Sequence, residues 1–366
     1  MTKKLFLFFT AYLIFFTGAI FITYPLIFHL GDMVSGLGDE LLISYISSWV
    51  IHALTHNPIQ LFSAPNFFPY ASTLAYSETF ISSSLLFSLP ALLVGQPIAY
   101  QNSGLIFSLM LLGVGIYYLT SYLTNDWINS LFSGIMVMFS PVILDKYIHL
   151  QVLFVFLVPL SILFFFQFIK TMRNKFLILT MICFVLQTYN SFLPGYFILF
   201  SLVIISSTYW FIHRSRAMVL ITRKNIWTFV IGILLVVPLA LPYYSVSKTF
   251  GYTRDIRDAI HFAIQPEDLL YSNQFTKLAS FFDELCQRAS YPDAVSFING
   301  YPGLVLGVLI IASMFYLKKY WKKQTYEIKS LVFIAITGVV LSLGPFLHIG
   351  RATIHHPFPI PLPYAL

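Results

Sequence analysis

The chain has 366 residues, 58% of them hydrophobic and only 10% charged, with 38 phenylalanines and a formal net charge of +7. A soluble globular chain carries about 25% charged residues and could not hide this much apolar surface, so soluble, disordered and fibrous classes are excluded. The basic residues stand in short clusters between apolar stretches, the usual flank of membrane spans, which makes the lipid bilayer the partner and argues against nucleic acid. The sequence predicts an all-α, polytopic transmembrane helical bundle.

A helix needs about 20 apolar residues to cross the hydrocarbon core, with about 17 as the lower bound. Nine stretches meet or approach that length: Leu5–Leu30, Ala99–Leu123, Trp127–Leu144, Val152–Ile169, Phe176–Ser191, Tyr196–Ile212, Ile226–Val246, Pro302–Leu317 and Ser330–Leu347. The first follows Lys3-Lys4 like a signal peptide, but its apolar run is too long for an h-region, so it reads as an uncleaved span. Phe80–Val94 is shorter, contains Pro90 and opens with Ser82-Ser83-Ser84, which points to a re-entrant or interfacial segment.

With nine spans and Lys3 in the cytoplasm, 14 of the 21 basic residues fall inside; counting Phe80–Val94 as a span would turn three short basic loops outward. The positive-inside rule therefore favours nine spans, a cytoplasmic N-terminus and a location in the cell (cytoplasmic) membrane. Of the 14 acidic residues, 12 then lie outside. The two long loops, residues 31–98 and 248–301, are both external, the second with a surface helix expected at Thr276–Arg288. The cytoplasmic loops are too short for a nucleotide-binding domain and no Walker-type sequence is present, so a pump driven by ATP within this chain is excluded. Any chemistry belongs to the outer side or to the membrane.

In the first outer loop, Asp39–His56 reads as an amphipathic helix lying on the membrane. Its apolar face is Leu42, Tyr45, Ile46, Trp49, Val50, Ala53 and Leu54, and its polar face includes Glu40, Ser44, Ser47, Ser48, His52 and Thr55. Pro58 stops it. The aromatic and proline-rich Pro65–Tyr70 stretch follows, and Glu78 precedes the re-entrant segment.

This arrangement resembles the GT-C superfamily of polyprenyl-phosphate-dependent glycosyltransferases, and more closely a bacterial group of glycosyltransferase-like membrane proteins within that fold. The residues that carry the resemblance are Gly38-Asp39-Glu40 after the first span, the interfacial helix with its tryptophan, and the stretch NFFPYASTLAYSE (Asn66–Glu78). It continues through FSPVILDKYIHLQ (Phe139–Gln151) and LSLGPFLHIG (Leu341–Gly350), across most of one domain spanning 1–366. The resemblance implies further spans beyond the PIPLPYAL end, so that the chain reads as C-terminally truncated. It also implies transfer of a sugar, with inversion, from a polyprenyl-phosphate donor to a glycan, lipid or protein acceptor outside the cell.

The resemblance places the catalytic base at Asp39. A carboxylate within hydrogen-bond reach can take the acceptor's hydroxyl proton as that oxygen attacks the anomeric carbon. A helix N-cap is the competing reading of the same residue. Glu40 is the second catalytic candidate, in metal or acceptor binding, against a solvated helix face. Glu78, at a point where a charge is costly unless paired, is a candidate for substrate binding. So are Asp145, Lys146, His149 and Gln151, in a turn that could face the same cavity, and Arg254 and Arg351, as docks for the donor phosphate. Helix caps and local ion pairs account for this second group equally well.

No cofactor is implied with certainty. A divalent metal is possible, but ligand spacing does not support one: His52 and His56 lack a third partner, and adjacent His355-His356 do not converge. Two other functions remain open, a transporter or flippase of lipid-linked sugars and an inactive scaffold of envelope assembly.

Overall fold

The computed structural model describes residues 3–147, 149–214, 221–252, 263–264, 269, 300–344, 348–349 and 352–353. Their regular secondary structure is helical except for one antiparallel pair of two-residue strands, β1 (His348–Ile349) and β2 (Ala352–Thr353). In chain order the helices are α1 (Lys3–Thr23), α2 (Asp39–His56), α3 (Ile81–Leu86), α4 (Ser88–Val94), α5 (Ile98–Thr124) and α6 (Trp127–Met138). Next come α7 (Pro141–Leu144), α8 (Leu150–Leu153), α9 (Leu157–Thr171), α10 (Asn174–Asn190) and α11 (Phe192–Ile212). The last four are α12 (Arg223–Leu234), α13 (Val237–Phe250), α14 (Leu304–Tyr320) and α15 (Tyr326–Ser342).

Four segments among the described residues are long and apolar enough to cross a membrane: α5, Leu150–Thr171 (α8 with α9), α11 and Leu304–Lys323. A fifth exists if α12 and α13, bent by 42° at their junction, form one span. That bend has a local cause, because α13 opens with Val237-Pro238 and a proline has no N–H to continue the hydrogen-bond ladder of α12. The nine expected spans are not reached by length and composition. Trp127–Leu144 fails because α6 stops at Met138 and Ser140-Pro141 starts a new short helix. The first apolar stretch also ends early, since α1 closes at Thr23, ahead of Tyr24-Pro25 and a single 3-10 turn at Leu26–Phe28. The expected re-entrant segment is two short helices, α3 and α4, broken at Phe87.

The chain divides into two compact units: Met1–Phe139 with Lys146–Tyr252, and Ser140–Asp145 with Thr253–Leu366. In the first unit α5 is the central helix, with α1, α2, α4, α6, α8 and α9 packed around it. Close approach rests on small residues. The Phe15 ring of α1, fully buried, sits in a notch made by Gly113 of α5 and Gly134 of α6. On α5, Gly104 and Gly115 admit Leu150 of α8 and the Phe156–Pro159 turn that opens α9. Helix ends are closed by local chemistry: Asp126 caps α6 by accepting the Asn129 N–H at 2.8 Å, and Thr222 caps α12 through the Asn225 N–H. In the second unit, Thr325 caps α15 and Trp321 packs edge-on against Phe333 at 5.8 Å.

In the first unit, residues 24–97 join the C-terminal end of α1 to the N-terminal end of α5, and this end of the bundle is called here the upper end. Asn102, in the first turns of α5, fastens their beginning: its Nδ2 donates to the carbonyls of Leu30 (2.9 Å) and Met33 (2.7 Å).

Candidate functional site

Helix α2 forms over Asp39–His56, between Gly38 and the Asn57-Pro58 stop. It packs against α5 and α3. The buried face is Glu40, Ile43, Ser44, Ile46, Ser47, Val50 and Ala53, whereas Leu41 and Leu42 are exposed. This corrects the expected orientation: half of the polar stripe turns inward. Two of its serines are satisfied along the helix, with Ser44 Oγ donating to the Glu40 carbonyl at 2.7 Å and Ser48 Oγ to that of Ser44 at 2.8 Å. Trp49 is held by its indole N–H, which donates to the Leu61 carbonyl at 2.8 Å.

Asp39 occupies the first helical position, after Gly38 as N-cap, and its carboxylate makes no capping hydrogen bond. Instead its Oδ2 lies 3.2 Å from Nδ1 of His149. The contact is an ion pair in distance only, because the imidazole nitrogen is not aligned for a hydrogen bond. The Asp39 side chain is 52% exposed and that of His149 33%, so a carboxylate oxygen remains open to a ligand.

Its neighbour Glu40 is the opposite case, at 2% exposure. Its Oε1 accepts the Ser35 hydroxyl at 3.1 Å. Gly36 lies so close that an added Cβ would fall 2.6 Å from the same oxygen. The Tyr147 phenol is held above its ordinary pKa by burial first and by the Glu40 charge second. Glu40 is therefore enclosed by residues 35–36 with Tyr147 nearby, which corrects its expected placement on a solvated face. Of the two adjacent carboxylates only Asp39 is accessible.

Glu78 accepts the Phe192 N–H at 3.3 Å, at the N-terminus of α11, where Ser191 supplies no side-chain cap. A carboxylate is favoured there by the helix dipole. Around it, α3 is fastened to the α10–α11 turn. Thr79 Oγ1 donates to the Tyr189 carbonyl (2.8 Å), the Phe80 N–H to that of Asn190 (3.2 Å), and the Ser83 N–H to Asn190 Oδ1 (3.2 Å). Phe80 takes a left-handed backbone (φ 51°), an uncommon conformation for an aromatic residue, while its ring is buried. The polar α10–α11 tip is thus a clasp for the re-entrant segment.

The remaining described candidates stand at helix ends and turns. The Asp145 N–H donates to the Pro141 carbonyl, closing α7 in the second unit. Lys146 opens the turn whose carbonyl accepts the His149 N–H at 2.9 Å. Gln151 stands in the single turn of α8, its Oε1 without a hydrogen-bond partner among the described residues. Arg254, Arg351, His355-His356 and the helix expected at Thr276–Arg288 lie outside the described residues, and Lys248 belongs to the last turn of α13 rather than to a loop. His52 and His56 are exposed, with rings stacked at 4.4 Å. Among the described residues no group of three His, Cys, Asp or Glu side chains could hold a metal ion.

Several buried polar atoms have no hydrogen-bond partner among the described residues, Gln101 foremost, a residue that sequence reasoning did not single out. Gln101 is fully buried in the first turn of α5, and neither its Oε1 nor its Nε2 has a partner among the described residues. Ser82 Oγ, Asn190 Nδ2 and Ser108 Oγ are buried and unpartnered as well. Native interiors leave few such atoms, so each calls for an explanation. The only advance signal was a cluster of amides and hydroxyls, Gln101-Asn102-Ser103, at the start of an otherwise apolar span. Two apolar cavities, of about 430 and 310 Å³, lie elsewhere, along α9–α12, lined by Phe165, Trp210 and Phe229 and by Met181 and Ile231.

The upper end therefore combines two accessible carboxylates, Asp32 with the local His29 and Asp39 with the distant His149, each 3.2 Å from an imidazole nitrogen, an enclosed third carboxylate at Glu40, and several polar side chains with unused hydrogen-bonding capacity. No family model, curated protein or solved structure matches the chain.

Proposed function

We propose that the protein is an integral membrane glycosyltransferase that moves a sugar from a polyprenyl-phosphate donor to a hydroxyl acceptor, with Asp39 as general base. The observation that carries this reading is the pairing of an accessible Asp39 with His149, 110 positions along the chain, at one loop-covered end of an apolar bundle. In this reaction the acceptor oxygen forms a bond to the anomeric carbon as the bond from that carbon to the phosphate oxygen breaks. The acceptor's proton passes to an Asp39 oxygen, the electron pair leaves with the polyprenyl phosphate, and the configuration inverts. A phosphate leaving group needs no carboxylic acid to protonate it, so one accessible carboxylate is enough. His149 lies beside that carboxylate and can favour its charged form, and buried Glu40 holds Ser35 at the start of α2.

The finer architecture belongs to the same reading: nine membrane crossings, with the shorter helices α1, α6, α10 and α15 counted among them, a cytoplasmic N-terminus in the cell membrane, and an upper end that faces outward. The acceptor is then an extracytoplasmic glycan, lipid or protein, and the donor arrives within the membrane.

The test is transfer from a short-chain prenyl-phosphate hexose by the full-length protein in lipid nanodiscs. Replacing Asp39 by Asn keeps the side chain's size and removes its basicity, and should lower the transfer rate by about 10²–10⁴-fold. Wild-type transfer by a well-folded Asp39→Asn variant would refute the assignment.

A further inference from the structure

Gln101, Gly104, Ser108 and Gly115 recur along α5 at spacings of three, four and seven, which places them on one stripe of the helix. Two of the four show what that stripe faces. The space beside Gly104 is filled by Leu150 of α8, 2.8 Å from where a Cβ would stand, and that beside Gly115 by the Phe156 carbonyl and Pro159 at 3.0 Å. Gln101 lies one turn, about 4.5 Å, above Gly104. It is therefore on the side of α5 that meets the His149–Gln151 turn. That turn itself holds Oε1 of Gln151, without a hydrogen-bond partner among the described residues, and Nδ1 of His149, whose neighbour is Asp39 Oδ2 at 3.2 Å.

Buried polar side chains are almost always hydrogen-bonded, and a carboxamide with both ends unused is the strongest exception in this unit. A carboxamide offers a donor and an acceptor side by side, which matches two neighbouring hydroxyls of a sugar ring, each able to give and to take a hydrogen bond. An apolar lipid tail offers nothing to it, and a phosphate accepts but cannot donate back to Oε1.

We propose that Gln101, on the face of α5 that meets the His149–Gln151 turn, forms a subsite for the ring hydroxyls of a sugar, close to the Asp39–His149 pair. The inference rests on the glycosyltransferase reading for the sugar's role as substrate, but sugar binding can be measured apart from transfer. Gln101 is in this view a specificity residue. Sites built to hydrogen-bond a hydroxyl lose far more affinity when the match is broken than purely apolar ones.

The experiment uses the full-length chain in nanodiscs and three probes: a short-chain prenyl-phosphate hexose, the same prenyl phosphate without sugar, and the free hexose. Binding is read by native mass spectrometry for the wild type, Gln101→Met, Gln101→Glu and Asp39→Asn. Met keeps the length without polar atoms, and Glu keeps an acceptor without the donor, so that one remains informative if the other fails to fold. The expected result is a sugar-dependent gain in affinity that falls about tenfold or more in both Gln101 variants, with binding of bare prenyl phosphate unchanged. The free hexose tells whether the sugar is held without its lipid.

A sugar-dependent gain that survives in both Gln101 variants would overturn the subsite and leave the enzyme reading standing. A Gln101-dependent gain without transfer by the wild type would leave the subsite and remove the enzyme. No gain from the sugar in the wild type would overturn the subsite outright, the unused carboxamide then being met by water.

Discussion

Gly134 is the glycine at which, among the described residues, a backbone atom of another helix comes nearest to where a Cβ would stand. A Cβ added there would stand 2.5 Å from Phe15 Cζ and 2.6 Å from the Gly113 carbonyl oxygen. Carbon contacts sit near 3.5–4.0 Å, so α6 would have to retreat from α5 by about 1 Å. Overpacking of this kind costs about 1–3 kcal/mol, and the carbonyl cannot turn aside as a side chain can. Gly134→Ala should thus destabilise the first unit by about 2 kcal/mol. Gly18→Ala is the matched control: its worst contact is the terminal methyl of Met138, at 2.5 Å, which can rotate away. Gly115→Ala, against the Phe156 carbonyl at 3.0 Å, should fall between the two. Replacing Phe15 by Leu in the Gly134→Ala background should recover only part of the loss, since the Gly113 oxygen remains in place. Buried Cys183 of α10 provides the readout, as a fluorogenic maleimide reaches it only when the unit unfolds, with Cys286 replaced by Ser. Equal melting midpoints for Gly134→Ala and Gly18→Ala would refute the argument that backbone contact, rather than side-chain crowding, sets the helix spacing.

Asn102→Leu should strip the Leu30 and Met33 carbonyls of their donor, at a cost of about 1–3 kcal/mol, and hydrogen exchange over residues 30–36 should quicken while that of α9 stays slow. Unchanged exchange in that segment would mean the amide is not its anchor. For orientation, an impermeant maleimide applied to intact cells should label Ile59→Cys, at a position 96% exposed in residues 24–97, and should reach Lys322→Cys only after permeabilisation, both in a background without native cysteines. The reverse pattern would invert the proposed sidedness.

The apolar runs were legible because each exceeds what a soluble helix needs, and the ends of α2 were legible because Gly38 and Pro58 bracket it. The interruption of the Trp127–Leu144 run at Ser140-Pro141 is equally local but was hidden by continuous hydropathy, which does not register a helix stop. The buried face of α2 was misjudged for a different reason. Amphipathicity assigns polar residues to water, yet Glu40, Ser44 and Ser47 turn inward, and for the first two Ser35 and the helix backbone supply hydrogen bonds. The closeness of Asp39 to His149 is a tertiary fact: the sequence places both residues in loops on the same side, and only the packing of α2 and α8 on α5 brings them to 3.2 Å. Gln101 escaped notice because an amide near the end of a span looks like an ordinary interfacial residue.

The clasp between α3 and the α10–α11 turn also has a bearing on biosynthesis. Residues 79–83 leave the ribosome more than a hundred positions before Asn190, whose carbonyl and side chain receive their N–H groups. During that interval the turn at Phe80 has no acceptor for its backbone, and a left-handed aromatic residue has nothing to hold it. The upper end can therefore take its final form only once α10 and α11 have been inserted. A nascent chain arrested before Asn190 would present this region incomplete to the quality-control machinery.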